Sequence, residues 1–480
     1  MIRPVRPMAA PAGLLAGLLA SAVALTACGT GNVSDRARED VVSSAADPTD
    51  PTDPAERRSR PRLLVTSAVD GDVRLSRRAP ASGSVEDDAG LLDTVEVVVD
   101  TDDVRQRWWG AGAALTDGSV GHLRRQDALT DLLFDPQDTR GARLRWVRLP
   151  LSATDMSVRP WTWRWDGERA RPTRRAKAAV RVLRREVLAR QPDLKVVASP
   201  WTAPPAMKEP AHWFGGTLRE DKVAEYADML VSQARLLLRR GVPLRAMTLA
   251  NEPGHAADYP TMEVSDAQLA RLARLAGPRL QRLGVEVWGL DHNWEDRARF
   301  GLAAGFDDLD AVAFHCYEGT PAQARGLPVP WVVSECTGTD DNAISTFAWD
   351  TRVLLSEAVD AGSHGLLMWN LVLSPGWAGA FGGCGNCRGL LTHQAGTWWA
   401  EPEYYVLAHL ARAAPPGSRV LGSRSGADLP VAAFTKRDRV GVVGYNDTDR
   451  DRLLRLVTAD GEVLGSYELP AWSLFTFRSR

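Results

Sequence analysis

Two glutamates, Glu252 and Glu335, occupy positions at which a pair of carboxylates could act on one bond. Each lies at the end of a short apolar run, residues 246–250 in the first case and 331–334 in the second. Pro253 disfavours helix after Glu252, and an unpaired charge at the end of a buried strand, as at Glu335, is costly without a function. Two carboxyl groups flanking a glycosidic bond can cleave it: one protonates the leaving oxygen, and the other attacks the anomeric carbon or activates water. A solvated or Arg-paired loop carboxylate is the competing interpretation for either residue.

Eight apolar, strand-like segments must position these residues. They are 109–115, 144–151, 195–200, 246–250, 286–290, 309–314, 330–334 and 365–371. Amphipathic stretches with helical spacing lie between them, at 177–190, 223–240, 266–283 and 351–361. Continuously apolar strands that alternate with helices predict an α/β fold in which a parallel (β/α)8 TIM barrel is covered on both faces. An open doubly wound sheet is the rival, but residues 110–112 lack the third glycine of a phosphate-binding turn.

In a barrel, the residues at the carboxyl ends of the strands are the candidates for the active site. Residues at the carboxyl ends of barrel strands line the active site in this architecture. Strands four and seven face each other across the ring, so Glu252 and Glu335 can point into one pocket. Other polar or aromatic residues at such ends are Asp117, Asp155, Trp201, Asn251, Asp291, His292, Asn293, His315, Tyr317, Trp369 and Asn370.

Short β-type runs flank the barrel on both sides. Residues 63–65 and 95–99 precede it, and 431–434, 440–445, 453–457 and 473–477 follow a helical pattern at 404–412. A few hairpins alone are only marginally stable, so we predict that both groups form one attached β-sandwich. The predicted domains are therefore 61–105 and 413–480 for the sandwich, with 106–412 as the catalytic barrel.

The first sixty residues predict export. A basic start, an apolar run to about residue 27 and Leu25-Thr26-Ala27-Cys28 resemble a bacterial lipoprotein signal, residues 1–28, that ends at a lipidated Cys28. Gly13, Gly17 and Pro11 argue against an uncleaved spanning helix. Residues 29–60 are rich in Pro, Asp and Thr without apolar periodicity, which predicts a disordered tether. We expect a lipoprotein on the extracellular face of a bacterial membrane, or a secreted protein, with the membrane contacted only through the N-terminal anchor.

Composition narrows the partners further. The formal net charge of −2, from 58 basic and 60 acidic side chains, gives no reason to expect nucleic acid binding. The 17 Trp against 7 Tyr suit stacking on sugar rings, although Trp is equally good core material. No cofactor is expected, and the oligomeric state is left open.

Four cysteines besides Cys28 form an even set in an oxidising compartment. Cys384 and Cys387 lie close together in a Gly-rich loop and are a possible local disulfide. The pairing of Cys316 and Cys336 is left open. Zinc ligation by both pairs would require the loops to meet in space, so no metal is expected.

An ordered series of motifs resembles glycoside hydrolase family 30, which includes the glucosylceramidases. The motifs are Trp109-Gly110-Ala111-Gly112-Ala113-Ala114-Leu115-Thr116-Asp117, Arg148-Leu149-Pro150, Ser199-Pro200-Trp201-Thr202-Ala203-Pro204, Asn251-Glu252-Pro253, His315-Cys316-Tyr317, Ser334-Glu335-Cys336 and Trp369-Asn370-Leu371. Gly383-Cys384, Cys387-Arg388-Gly389, Glu403-Tyr404-Tyr405 and Pro416-Gly417-Ser418-Arg419 are similar to the family's eighth loop and the start of its sandwich. The resemblance thus covers most of the chain beyond the tether.

The resemblance implies a retaining hydrolase that acts by double displacement through a covalent glycosyl-enzyme. It assigns Glu335 as nucleophile and Glu252 as acid/base, with carboxyls about 5 Å apart. Ionised Glu335 would raise the pKa of Glu252. The resemblance also implies that Asn251 holds the sugar 2-hydroxyl, that Tyr317 orients Glu335, and that the subsite for the cleaved sugar is shaped by Asp117, Trp201 and Trp369.

The expected substrate is a β-linked glycoside or oligosaccharide. β-Glucosidase, glucosylceramidase-like and β-1,6-glucanase-like activities are the candidates, with endo or exo action left open. Ala111 replaces a commoner Phe of the family, and residues 290–294 depart from the animal glucosylceramidases, which puts a ceramide glycoside in doubt. The alternative is a catalytically inactive, lipid-anchored carbohydrate-binding protein on the same fold. A serine hydrolase is not supported, because the chain lacks a Gly-x-Ser-x-Gly elbow.

Overall fold

The computed structural model describes residues 62–81, 92–298, 308–339, 342–376 and 379–479. The predicted signal, its Cys28 and the tether lie outside these residues. No helix in the described part of the chain combines the length and hydropathy needed to span a bilayer.

Eight parallel strands close into a barrel, which confirms the predicted fold class. Each predicted strand-like segment overlaps one of them, and every strand pairs with its neighbours in sequence, β8 closing on β1. The strands are β1 Gly110–Ala114, β2 Trp146–Pro150, β3 Lys195–Ser199, β4 Leu244–Thr248, β5 Glu286–Asn293, β6 Ala311–His315, β7 Trp331–Glu335 and β8 Ser363–Met368.

The barrel interior has an apolar floor beneath a polar layer. The floor is a buried cluster that includes Trp146, Trp288, Ala313 and Val332. Because side chains alternate along a strand, the residue two positions further on faces the same way. On β2, β6 and β7 those positions are Arg148, His315 and Ser334. A period of two therefore places charged and polar groups above the floor, at the carboxyl ends of the strands.

Helices cover the outside of the barrel. The longest, Val223–Arg239 and Asp266–Gln281, match the predicted amphipathic stretches, and Ser265 begins the second with a capping box that includes Gln268. The other α- and π-helices of the described residues follow β1, β2, β7 and β8. They are Asp117–Leu123 and Asp127–Phe134 after β1, Arg174–Val182, the π-helix Leu183–Val187 and Leu188–Arg190 after β2, Ala343–Trp349, the π-helix Asp350–Glu357 and Ala358–Asp360 after β7, and Pro402–Ala413 after β8. Short 3-10 helices are Pro205–Met207, Glu220–Lys222 and Trp294–Ala298. The β6–β7 connection has a single 3-10 turn, Pro321–Ala324.

A nine-stranded sheet joins both ends of the described chain. Its order is Ser76–Arg78, Arg62–Ser67, Ser473–Arg478, Arg439–Asn446, Val431–Lys436, Arg419–Arg424, Asp93–Arg107, Arg452–Thr458 and Val463–Leu469. The register shifts between Leu421 and Gly422, where Arg419–Arg424 meets the long strand Asp93–Arg107. The two ends of the sheet face each other over one core, in which Tyr467 contacts Phe477 at 6.1 Å between ring centroids. The predicted sandwich of N-terminal and C-terminal strands is thus present.

Helix Pro402–Ala413 connects the barrel to the sandwich. Its buried His409 bonds Thr476 through Nδ1 and Thr66 through Nε2, both at 2.8 Å. Burial, with the nearby charge of Arg412, lowers the pKa of His409 to about 3. A neutral imidazole therefore bridges two sandwich strands at this junction.

Candidate active site

The two predicted glutamates meet at the mouth of the barrel. Glu335 ends β7 and Glu252 lies just beyond β4. One carboxylate oxygen of each and one ring nitrogen of His315 all lie within 4.8 Å of one another. Glu252 has a φ of 43°, in the left-handed region, and its backbone N–H donates to the carbonyl of Asp291 at 2.9 Å. Such strained backbone persists only where its surroundings hold it, and it is common at functional sites.

Arg148 is a wholly buried cation that organises the site. Its Nη1 bonds Oε2 of Glu335, and its Nη2 donates to Oδ1 of Asn251 at 2.7 Å and to Oδ2 of Asp291 at 2.8 Å. A buried ion pair needs such additional hydrogen bonds to offset desolvation. Sequence reasoning placed Arg148 in a motif but gave it no role, although a charge inside the apolar run 144–151 was an available signal.

His315 connects Glu252 to this network. Its Nδ1 lies 3.1 Å from Oε1 of Glu252, and its Nε2 lies 3.2 Å from Oδ1 of Asp291. Asp291 also accepts hydrogen bonds from Ser199 at 2.7 Å and Ser334 at 2.8 Å. When the neutral ring donates through Nε2 to Asp291, its Nδ1 can accept a hydrogen bond from protonated Glu252. Sequence reasoning missed the functions of His315 and Asp291, because their partners lie on other strands.

The contact between His315 and Glu252 shifts the pKa of both groups. Burial disfavours the imidazolium, but the charge of Glu335 and the bonds to Asp291 and Glu252 raise the pKa of His315 to about 9. Burial likewise opposes ionisation of Glu252, yet the hydrogen bond from His315 lowers the pKa of this carboxyl. The raised pKa that the resemblance predicts for Glu252 is therefore wrong for the resting site. His315 reverses that direction in the resting site, because it holds the proton 3.1 Å away.

Glu335 is held by two further groups. Tyr317 donates its hydroxyl hydrogen to Oε1 of Glu335 at 2.9 Å, and Arg148 bonds the other oxygen. Burial, together with the charge of Glu252, raises the pKa of Glu335 despite the opposing His315, Arg148 and Tyr317. The carboxylate is therefore fixed in orientation from β2 and from the residues that follow β6.

Two disulfides lie beside the site. Cys316–Cys336 joins the ends of β6 and β7, directly next to His315, Tyr317 and Glu335. Cys384–Cys387 lies in the loop after β8 and packs against the aromatic cluster of the site. Sequence reasoning left the first pairing open because the two cysteines belong to different strands.

Two tryptophans form an aromatic wall. The rings of Trp201 and Trp369 stack with centroids 5.0 Å apart, and both side chains are buried. The guanidinium of Arg148 lies 4.5 Å from the ring centroid of Trp201. Aromatic faces of this kind suit the apolar face of a sugar ring. Asn251, bonded to Arg148, is also buried.

The charges of both glutamates affect the pKa of another buried carboxyl, that of Asp155. Burial, followed by the charges of Glu335 and Glu252, raises the pKa of Asp155 to about 7. Asp117 has different partners: its Oδ2 accepts from Nε1 of Trp161 at 2.8 Å and lies 3.6 Å from Arg175. The sugar-binding role predicted for Asp117 stays a prediction, whereas the charges of both glutamates act on Asp155.

Glu252, His315 and Glu335 are also close enough to offer three ligand atoms to a cation. The guanidinium of Arg148, however, already bonds Glu335 within the same network. A second positive charge there would be repelled, so the site is better suited to proton transfer than to metal binding.

Comparison with known proteins agrees with this architecture. No protein-family profile matches the chain. It is 27% identical over 408 residues to the endo-1,6-β-D-glucanase BGN16.3 of Trichoderma harzianum, covering 75% of this chain and 81% of that protein. The endo-β1,6-glucanase BT3312 has a similar solved structure, with a TM-score of 0.77 at 20% identity, covering 88% of this chain and 99% of that one.

A second solved structure is the catalytic domain of the GH30 xylanase C from Talaromyces cellulolyticus. It has a TM-score of 0.64 at 19% identity, covering 80% of this chain and 100% of that one. At 20% and 19% identity, these two solved structures show a shared fold, a barrel with an attached β-domain. Together with the ordered motifs, the glutamates beyond β4 and β7 and the sequence relative, they support the resemblance to glycoside hydrolase family 30.

Proposed function

We propose that the chain is a retaining β-glycoside hydrolase in which Glu335 is the nucleophile and Glu252 the acid/base. The observation that carries this proposal is the approach of the two carboxylates to within 4.8 Å. Retaining enzymes have carboxyls about 5 Å apart, whereas inverting enzymes need roughly 6.5–9.5 Å to admit a water. The short separation favours direct attack on the sugar.

The different surroundings of the glutamates support their different roles. Arg148 and Tyr317 hold both oxygens of Glu335, which aims an ionised carboxylate at the anomeric carbon. Glu252 bonds His315 through Oε1, and that bond supplies its proton. Protonated Glu252 gives the proton to the leaving oxygen as Glu335 forms the glycosyl-enzyme. Glu252 then takes a proton from the water that releases the sugar.

The substrate we propose is a β-1,6-linked glucan. The relative from Trichoderma harzianum and the protein of the first solved structure are both named as β-1,6-glucanases. Trp201 and Trp369 would stack on the cleaved glucose, while Asn251 and Asp155 would bind its hydroxyls. A panel of β-1,6-, β-1,3- and β-1,4-glucans and xylan tests this. Preferential cleavage of another polymer would reject the substrate but not the mechanism.

The mechanism is tested by rescue of Glu335→Ala with azide on an aryl β-glycoside. We expect turnover to fall by about 10⁴-fold or more and an α-glycosyl azide to form in azide. Glu468→Ala, an exposed sandwich residue, is the control and should retain activity. Full activity of Glu335→Ala would overturn the assignment. Binding of glucan without cleavage by the wild type would instead favour the inactive carbohydrate-binding alternative.

We also propose that the protein is exported and anchored through a lipidated Cys28. The signal-like segment and the Cys28 position in the sequence support this. Metabolic labelling with a radioactive fatty acid should mark the wild type and leave Cys28→Ser unlabelled. A membrane fraction that retains equal amounts of both proteins would contradict the anchor.

A further inference from the structure

A second, arginine-lined cleft lies at the junction of the barrel and the sandwich. It has a volume of about 510 Å³, and its lining includes Arg74, Arg77, Arg140, Arg143, Arg412 and Arg478. These side chains come from two sandwich strands, the turn at Arg74, helix Pro402–Ala413 and the barrel segment between helix Asp127–Phe134 and β2. Residues 139–143 precede β2, so this cleft lies toward the amino ends of the barrel strands, opposite the paired glutamates.

The lining of the cleft concentrates positive charge. Its described lining residues include no Asp or Glu. None of the six arginines forms an ion pair with an acidic side chain of the described chain, although acidic and basic residues are nearly equal in number overall. Elsewhere buried arginines are paired, as Arg388 is with Glu403 and Arg452 with Asp428.

Burial and mutual repulsion lower the pKa values of arginines in the cleft. Burial and the charge of Arg143 lower the pKa of Arg412 to about 10. Burial also lowers the pKa of Arg143 and, together with Arg439 and Arg143, that of Arg478. Asp138 lies close enough to Arg143 and Arg412 to oppose this effect, but its Oδ1 accepts the backbone N–H groups of Arg140 and Gly141. A bound anion would relieve the remaining repulsion.

The arginines are not all occupied by protein groups. Arg412 donates to the carbonyls of Gly141, Ala408 and Thr139, and Arg74 donates to three carbonyls of its own turn. Arg77 and Arg140 are exposed and make no side-chain hydrogen bond within the described residues. The cleft therefore combines a buried cation, Arg412, and the half-buried Arg74 with two exposed guanidinium groups that can bind a ligand.

We propose that this cleft binds phosphate groups of a polyanion. Planar guanidinium forks match phosphate oxygens in two-point contacts, and several clustered cations favour a ligand with several negative charges. A neutral glucan would gain nothing from this charge, so the cleft serves a function apart from glycoside cleavage. Its phosphates belong either to a soluble polymer or to lipid headgroups.

The test measures binding of tripolyphosphate by calorimetry and of vesicles by co-sedimentation. We expect the protein to bind tripolyphosphate, or vesicles of phosphatidylcholine with phosphatidylglycerol but not phosphatidylcholine alone. The first result indicates a soluble polymer and the second a lipid surface. Arg77→Gln/Arg140→Gln should weaken binding about ten-fold, because two charge-assisted contacts are lost.

A matched control removes the same charge from another basic surface. Arg181→Gln/Arg185→Gln alters two exposed arginines of the barrel exterior and should change affinity by less than about two-fold. Melting temperatures confirm folding, and either single cleft variant can replace a double variant that is unstable. Failure to bind tripolyphosphate and anionic vesicles, equal loss in the control, or tighter binding of polygalacturonate than of tripolyphosphate would overturn the proposal.

Discussion

The hydroxyl of Tyr317 donates a hydrogen bond of 2.9 Å to Oε1 of Glu335, and the residues beside them, Cys316 and Cys336, form a disulfide. The proposed nucleophile is thus held by a side chain and by a covalent cross-link between β6 and β7. Its second oxygen is bonded by Arg148 from β2. Three separate parts of the chain determine where this carboxylate points.

Tyr317→Phe removes one of these contacts and should lower kcat/KM by roughly ten- to a hundred-fold, the range expected for one hydrogen bond to a charged group. Steady-state kinetics on an aryl β-glycoside provides the measurement. Tyr226→Phe is a matched control, because the buried hydroxyl of Tyr226 has no hydrogen-bond partner in the described structure. Equal kinetics for Tyr317→Phe and wild type would show that the contact does not support catalysis.

Arg148→Met should impair both stability and activity. It leaves the carboxylates of Glu335 and Asp291 buried without their cation, a loss of about 3–5 kcal/mol in comparable buried pairs. Thermal melts and kcat measure the two effects. Arg452→Met removes a buried guanidinium that pairs with the partly exposed Asp428 in the sandwich, so it should lower the melting temperature while kcat of the folded protein is kept. A normal kcat for Arg148→Met would contradict its role in holding Glu335.

The contact between His315 and Glu252 predicts an alkaline limit to activity. Because the pKa of His315 is raised to about 9, the proton that Glu252 needs is present below that pH and is lost above it. We expect kcat/KM to fall above about pH 9, approaching ten-fold per pH unit. His315→Asn should move this limb to lower pH, since Glu252 then retains the proton alone. An unchanged limb in that variant would assign the titration to another group.

Loss of the Cys316–Cys336 disulfide should act on catalysis more than on binding. The variant Cys316→Ala/Cys336→Ala frees the strand ends beside Tyr317 and Glu335, and we expect kcat to fall about ten-fold, since small misplacement is costly in catalysis.

The comparison variant for that prediction is Cys384→Ala/Cys387→Ala. This pair packs against Trp201 and Trp369, so its loss should raise KM with a smaller effect on kcat. Kinetics of both variants, with melting temperatures, separate the two effects. The prediction is wrong if both pairs change kcat and KM alike.

The barrel–sandwich junction should weaken in acid. His409 has a folded pKa of about 3, below the ordinary value near 6.5, so the unfolded chain binds a proton that the folded chain excludes between these values. Its contribution is therefore present above pH 6.5 and is lost as pH falls toward 3, at up to about 1.4 kcal/mol per pH unit. Melting temperatures between pH 7 and 4 should decline less steeply for His409→Gln than for the wild type. Parallel declines would exclude His409 as the cause.

Local patterns were sufficient to predict the barrel and the positions of the two glutamates. Alternating apolar strands and amphipathic helices have few compact arrangements, and a residue at a strand end faces the mouth of a barrel. The same patterns identified the β-type runs of the sandwich. They also predicted that Asn251, Trp201, Tyr317 and Trp369 lie at the same end of the barrel.

Only the tertiary structure decided which groups touch. Arg148 bonds Asn251, Asp291 and Glu335 from three separate parts of the chain, the charges of both glutamates act on Asp155, and Cys316 pairs with Cys336 beyond the neighbouring strand. The protonation of Glu252 likewise depends on His315, which is far from it in the chain. Strand periodicity determines the direction of a side chain, whereas its hydrogen bonds and pKa depend on neighbours that chain closure brings within a few ångströms.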